Sequence, residues 1–139
     1  MENTNNILPK LNIKRRLEEI IADEWDHELV DQFTTSVSDN PQVWIVQCDD
    51  SFTPISNVNN KTLLSTCTVT VLVFSQTRET EVHQIINKLM NLAPRNFNGL
   101  KINSIAPISQ STNYQNDASQ GHVMADVTLE LKYFFERTS

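Results

Sequence analysis

Glycine is almost missing from this chain of 139 residues, with only Gly99 and Gly121 present. Loops that cradle a phosphate need glycine where backbone and ligand approach closely, so the usual nucleotide-binding loops are excluded. Missing too is any apolar run near the roughly 20 residues of a membrane span, and no membrane partner is expected. Met1 to Asn6 lacks the basic-then-apolar order of a signal peptide, so retention in a cytoplasm is the expectation. Basic charge is in deficit, with 11 Lys and Arg against 17 Asp and Glu and a net charge of −6. That balance speaks against a dedicated nucleic-acid binder, whose affinity rests on neutralising phosphates. Only the local cluster Lys10 to Arg16 would suit such a role.

Chemistry-bearing residues are few and dispersed. His27, His83 and His122 stand in no H-x-x-x-H arrangement, and the two cysteines form no C-x-x-C. No G-x-S-x-G nucleophile elbow occurs. His27 lies between Asp26 and Glu28, but adjacent residues on a helix diverge, so a solvated acidic face is favoured over a metal site. Asp49-Asp50 suits a turn better than general acid–base work. Cys48 and Cys67 sit in apolar β-like runs and read as small buried hydrophobes, with no neighbouring base in sequence to activate either thiol. A disulfide is disfavoured in a reducing compartment. No catalytic residue, metal or cofactor is assigned, and the chain is expected not to be an enzyme.

What the sequence does contain is periodicity. Ile13, Leu17, Ile20, Ile21 and Trp25 recur at helical spacing from Lys10 to Asp26 behind Pro9, which predicts a first helix. Leu29, Val30 and Phe33 extend it or pack just beyond, and Thr34 to Pro41 reads as a loop. Val43 to Val46 is a short apolar run, expected to be a strand buried on both faces. Asp49 to Lys61 reads as a turn-rich loop. Leu63 to Phe74 alternates, with Cys67, Val69, Val71 and Val73 on one face and Thr66, Thr68 and Thr70 on the other. Val82, Ile85, Ile86, Leu89 and Met90 mark a second helix, capped by Thr77 or Thr80 and stopped by Pro94. Asn98-Gly99 marks a turn, Leu100 to Ile105 a short strand limited by Pro107, and Ser109 to Gln120 a polar loop expected to be mobile until a partner orders it. Val123 to Phe135 alternates without interruption and predicts a strand longer than most. These elements give a single α+β domain over 10–139 behind a flexible N-terminus of residues 1–9. Their order is α-β-β-α-β-β, with a mostly antiparallel sheet and two helices packed on it.

Two features point to contacts with other subunits. In the first helix Lys10, Lys14, Arg15 and Arg16 come first, and the acids, Glu24 among them, come last, against the preference of the helix dipole. Each misplaced exposed charge costs only a few tenths of a kcal/mol, and pairs such as Arg15 with Glu19 recover part of it. A helix segregated in this way suits oppositely charged surfaces on two neighbours. In the last strand Met124 and Phe134 interrupt the polar face, which another chain would cover. Lys14, Arg15, Arg16, Glu24, Met124 and Phe134 are therefore the candidate interface residues.

The succession of an amphipathic opening helix, Pro41-Gln42-Val43-Trp44-Ile45-Val46, the strand Thr62 to Phe74, the helix Glu79 to Leu92, the polar loop and the closing strand Val123 to Phe135 resembles the tail terminator (tail completion) proteins of tailed bacteriophages. The likeness covers nearly the whole chain and is one of layout. It implies a homo-oligomeric ring, commonly a hexamer, that caps the tail tube protein, ends polymerisation and meets the head–tail connector. DNA would pass through the ring without specific binding. The resemblance also implies no cofactor and a place in the virion near the neck, after assembly in the host cytoplasm. A different neck or tube component, and more remotely a small enzyme, are the competing readings.

Overall fold

The computed structural model describes residues 7–31, 40–55, 61–115 and 122–137. Helix α1, Pro9–Glu19, starts on a proline, whose missing N–H costs nothing in a first turn. It buries Ile13 and Leu17. The chain then widens into a π-helical turn, Ile20–Glu24, closed by a bond from the Trp25 amide to the Ile20 carbonyl of 2.9 Å. The wider turn lets the adjacent Ile20 and Ile21 both be buried. Asp26, in the left-handed conformation with φ 58°, ends the run where the periodicity places its end. Leu29 and Val30 do not extend the helix. Glu28–Leu29 form a two-residue strand, β1, parallel to the start of the next.

Strand β2, Gln42–Pro54, is thirteen residues long and continues through the segment expected to be a loop after Asp49. It is not buried on both faces: Val43 is fully buried, whereas Val46 is exposed beside a register shift between Ile45 and Gln47. Strand β3, Thr62–Ser75, pairs antiparallel with β2 on one side and with β5, His122–Glu136, on the other. Helix α2, Glu79–Met90, buries Val82, Ile85, Ile86 and Leu89. Met90, at the margin of that stripe, is exposed. Neither Thr77 nor Thr80 caps α2. The hydroxyl of Ser75 instead accepts the amides of Thr77 and Arg78 at 3.2 and 2.9 Å. A 3-10 turn, Pro94–Phe97, follows and drives Phe97 into the core.

The third long strand differs most from expectation. Leu100 to Asn103 is not part of it, because Gly99 (φ 87°) and Lys101 (φ 54°) both take left-handed conformations. β4 runs instead from Ser104 to Gln115 along β5, so residues 109–115 of the expected polar loop are strand. Pro107 does not stop it but sits at a bulge, the place a sheet edge tolerates proline. Residues 116–120 of that loop, residues 1–6 of the expected flexible N-terminus, and Phe33 lie outside the described residues.

The sheet order is β1-β2-β3-β5-β4. The fold is α+β, but the sheet is mixed: β1 joins in parallel and was not anticipated, while the other pairs are antiparallel. Both helices cover one face, where Cys67, Val69, Val71 and Val73 of β3 and the odd-numbered residues Val123 to Tyr133 of β5 meet Ile13, Leu17, Ile86 and Leu89. The opposite face carries Thr66, Thr68, Thr70 and Thr128, with the Thr70 and Thr128 hydroxyls 3.1 Å apart across the strands.

Phe97 is 1% exposed and pins the turn after α2 to this core. Phe97→Ala should lower unfolding free energy by about 3–5 kcal/mol in urea titration. Met90→Ala on the exposed margin of α2 should change it by no more than about 0.5 kcal/mol.

Candidate subunit interface

The charge order of α1 is largely resolved within the chain. Arg16 donates to Glu19 at 2.6 Å and reaches Glu24 at 2.7 Å, while its Nε donates to the Asn96 carbonyl at 2.8 Å. It thereby clamps the π-helical turn and the 3-10 turn onto α1. Lys14 pairs with Glu18 at 2.9 Å. Arg15 is exposed and has no ion pair among the described residues, so the anticipated Arg15–Glu19 pair belongs to Arg16 instead. Three of the candidate interface residues, Lys14, Arg16 and Glu24, thus have internal partners, and Arg15 alone of the α1 set is an uncommitted charge.

The two candidates on β5 lie far apart. Phe134 is 51% exposed and lines a groove of about 520 Å³ with Pro9, Asn12 and Leu100. Met124 is half-buried ten positions earlier, roughly 30 Å away at the rise of an extended strand. The six residues therefore do not form one patch.

A different surface stands out, one that carries no apolar periodicity. β4 is an outer strand twelve residues long without a single charged side chain. Ser104, Ala106 to Ser111, Asn113 and Tyr114 are exposed, on both faces of the strand. Outer strands in soluble proteins are usually blunted by lysines, prolines or bulges, because their unpaired N–H and C=O groups template further strands. Here Pro107 and its bulge protect only the first part, and Ser109 to Gln115 has no such device. Tyr114 leans on α2, its hydroxyl 3.4 Å from His83 Nε2. The only sequence signal for this edge was the uncharged Ser/Gln/Thr/Asn composition itself.

Polar groups also gather on the helix-covered side of β2. Asp50, which was expected in a turn, lies within the strand, and its Oδ1 accepts from Ser65 at 3.1 Å and Tyr133 at 3.2 Å. Its Oδ2 is buried with no partner among the described residues. Burial, together with the Asp50 carboxylate, pushes the Tyr133 phenol above its ordinary range. His27 sits beside Lys88, 3.4 Å away, rather than on a merely solvated acidic face. Its burial and the Lys88 charge hold it below the usual histidine value. Among the described residues no group of three or more His, Cys, Asp or Glu is placed to hold a metal, and no helix is long and apolar enough to cross a membrane. The sequence matches no protein-family model and no curated protein.

Arg16→Glu should cost on the order of 1–2 kcal/mol in thermal or urea unfolding, since it loses a charged bond to a carbonyl and sets three acids together. Arg15→Glu should leave stability within about 0.5 kcal/mol of wild type. Tyr133 supplies a pH test. Its raised folded value means its contribution is whole below pH about 10 and is lost as pH climbs above that, where the unfolded chain ionises first. Tyr133→Phe should flatten the alkaline fall in stability followed by circular dichroism.

Proposed function

We propose that this chain is a structural virion protein of a tailed bacteriophage, acting as a tail terminator. Copies assemble into a ring, most simply a hexamer, that sits on the end of the tail tube, halts its polymerisation and offers a surface to the head-side connector. The reading assigns it no enzymatic activity and no cofactor, and a place in the virion near the neck. The observation that carries an assembly role is the uncharged outer strand β4. An edge left unprotected from Ser109 to Gln115 is a liability in a chain that works alone and an asset in one that works by pairing. The resemblance in element succession supplies the particular assembly. The contact would be heterologous, since a ring closes only when two different surfaces meet. Another neck or tube component would use the same edge, and the two are separated by where the protein binds.

Purified protein mixed with tail tubes should appear by electron microscopy as a ring at tube ends, with elongation stopped. Decoration along the tube, incorporation into it, or monomers only both alone and with tubes would reject the terminator role. Gln110→Lys with Asn113→Lys puts charge on the exposed edge. This pair should keep stability within about 1 kcal/mol of wild type while abolishing ring assembly measured by light scattering on tubes.

A further inference from the structure

The two cysteines are free thiols, and their sulfurs lie 3.7 Å apart on neighbouring strands. They differ in access. Cys67 is fully buried in the core, whereas Cys48 is half-exposed and lines a groove of about 440 Å³ with Ile7, Leu8, Lys10, Leu11 and Lys14. Lys10, at the start of α1, donates from Nζ to the Cys48 carbonyl at 3.3 Å, and the Cys48 thiol faces the Lys10 carbonyl at 3.9 Å. The packing of α1 on β2 thus brings a cationic group beside Cys48 that sequence proximity did not supply.

We propose that Cys48 and Cys67 are a reactive dithiol, which a small anionic disulfide oxidises through the groove beside α1 to a cross-link between β2 and β3. The chemistry follows from the asymmetry. The Cys48 thiol is pulled down by the hydrogen bond from Cys67, and by Lys10, against burial and the charges of Asp50 and Asp49. The Cys67 thiol is pushed up by Cys48, by burial and by Asp50. Cys48 therefore attacks first. Its thiolate displaces one thiolate from the incoming disulfide and forms a mixed disulfide, with Lys10 among the groove's lining residues favouring an anionic reagent. Cys67 then attacks the Cys48 sulfur, forms the internal bond, expels the second thiolate and releases its proton. Two protein thiols are oxidised and one small disulfide is reduced to two thiols, so the exchange balances.

Bond formation requires a local adjustment of the sheet. Cys48 is paired with Val69 and Cys67 with Asp50, so the two are diagonal rather than opposite. Diagonal Cα atoms lie about 7–8 Å apart in a regular sheet, so β2 and β3 must draw together locally for the bond to form. Their sulfurs must close from 3.7 Å to about 2.05 Å. The inference is independent of the ring assembly.

Glutathione disulfide is the probe. Native wild type should lose two hydrogens by intact mass spectrometry, lose both titratable thiols, and recover them in dithiothreitol. Cys67→Ser should stop at one glutathione adduct, and Cys48→Ser should stay unmodified. A wild type that keeps both thiols, or stops at the adduct, overturns the proposal, as does equal modification of the two variants. Should Cys67→Ser fail to fold, alkylation of native wild type with iodoacetamide and peptide mapping decides the order of attack. Cys48 labelled with Cys67 protected supports the dithiol, and equal labelling overturns it.

Discussion

The pairing of β3 with β5 runs without a break from Thr62 opposite Glu136 to Ser75 opposite Val123, and the rest of the molecule is arranged around it. In an antiparallel pair a slip of one residue would turn either the valines of β3 or the odd-numbered residues of β5 away from the helices. Register is therefore specified by burial along the whole length. Val69, Val71, Val127 and Ala125 are each 0% exposed, which leaves no room for a second solution. Both helices can then bury only one stripe apiece, and both must lie on the same face.

That arrangement leaves a sheet longer than its cover. The end of β2 is exposed from Ser51 to Pro54, where Phe52 meets Phe135 at a tilt with ring centroids 5.5 Å apart, and β4 lies exposed at the side. A domain that only had to be stable would gain little from an outer strand of this length. The cost of an unprotected edge is aggregation, and the usual remedy, a lysine or a glutamate, is missing from Ser104 to Gln115. The charges on α1, by contrast, resolve mainly into local stabilisation, because Arg16 draws Glu19, Glu24 and the Asn96 carbonyl to one guanidinium. The strand edge, rather than the charged helix, is thus the surface that the fold leaves open.

The polar inclusions near β2 have a common origin. Asp50, Ser65, Tyr133 and the two thiols occupy the helix-covered face where α1 begins and apolar cover thins. Two hydroxyl donors answer one oxygen of Asp50 and leave the other buried without a partner among the described residues. Buried polar groups of this kind are costly and specify geometry. Here they hold the far end of β2 against β3 and β5, in line with the thiol pair.

From sequence alone the two helices, the long strands β3 and β5 and nearly the whole apolar core were legible, because burial of one face imprints a period of 3.6 or 2 on residue type. Ile13, Leu17, Val69, Val71, Ile86 and Leu131 all carry that imprint and all are buried. β1, the second half of β2, and β4 left no such mark. β1 is two residues long, the end of β2 is exposed throughout from Ser51 to Pro54, and β4 is exposed on both faces, so backbone bonds to a neighbour make them strands without selecting side chains. The partners of Arg16, the meeting of Lys10 with Cys48 and the contact of Cys48 with Cys67 were likewise invisible. Residues 10 and 48, or 16 and 96, become neighbours only when the helix is laid on the sheet, and that placement is decided by packing between distant segments rather than by any local pattern.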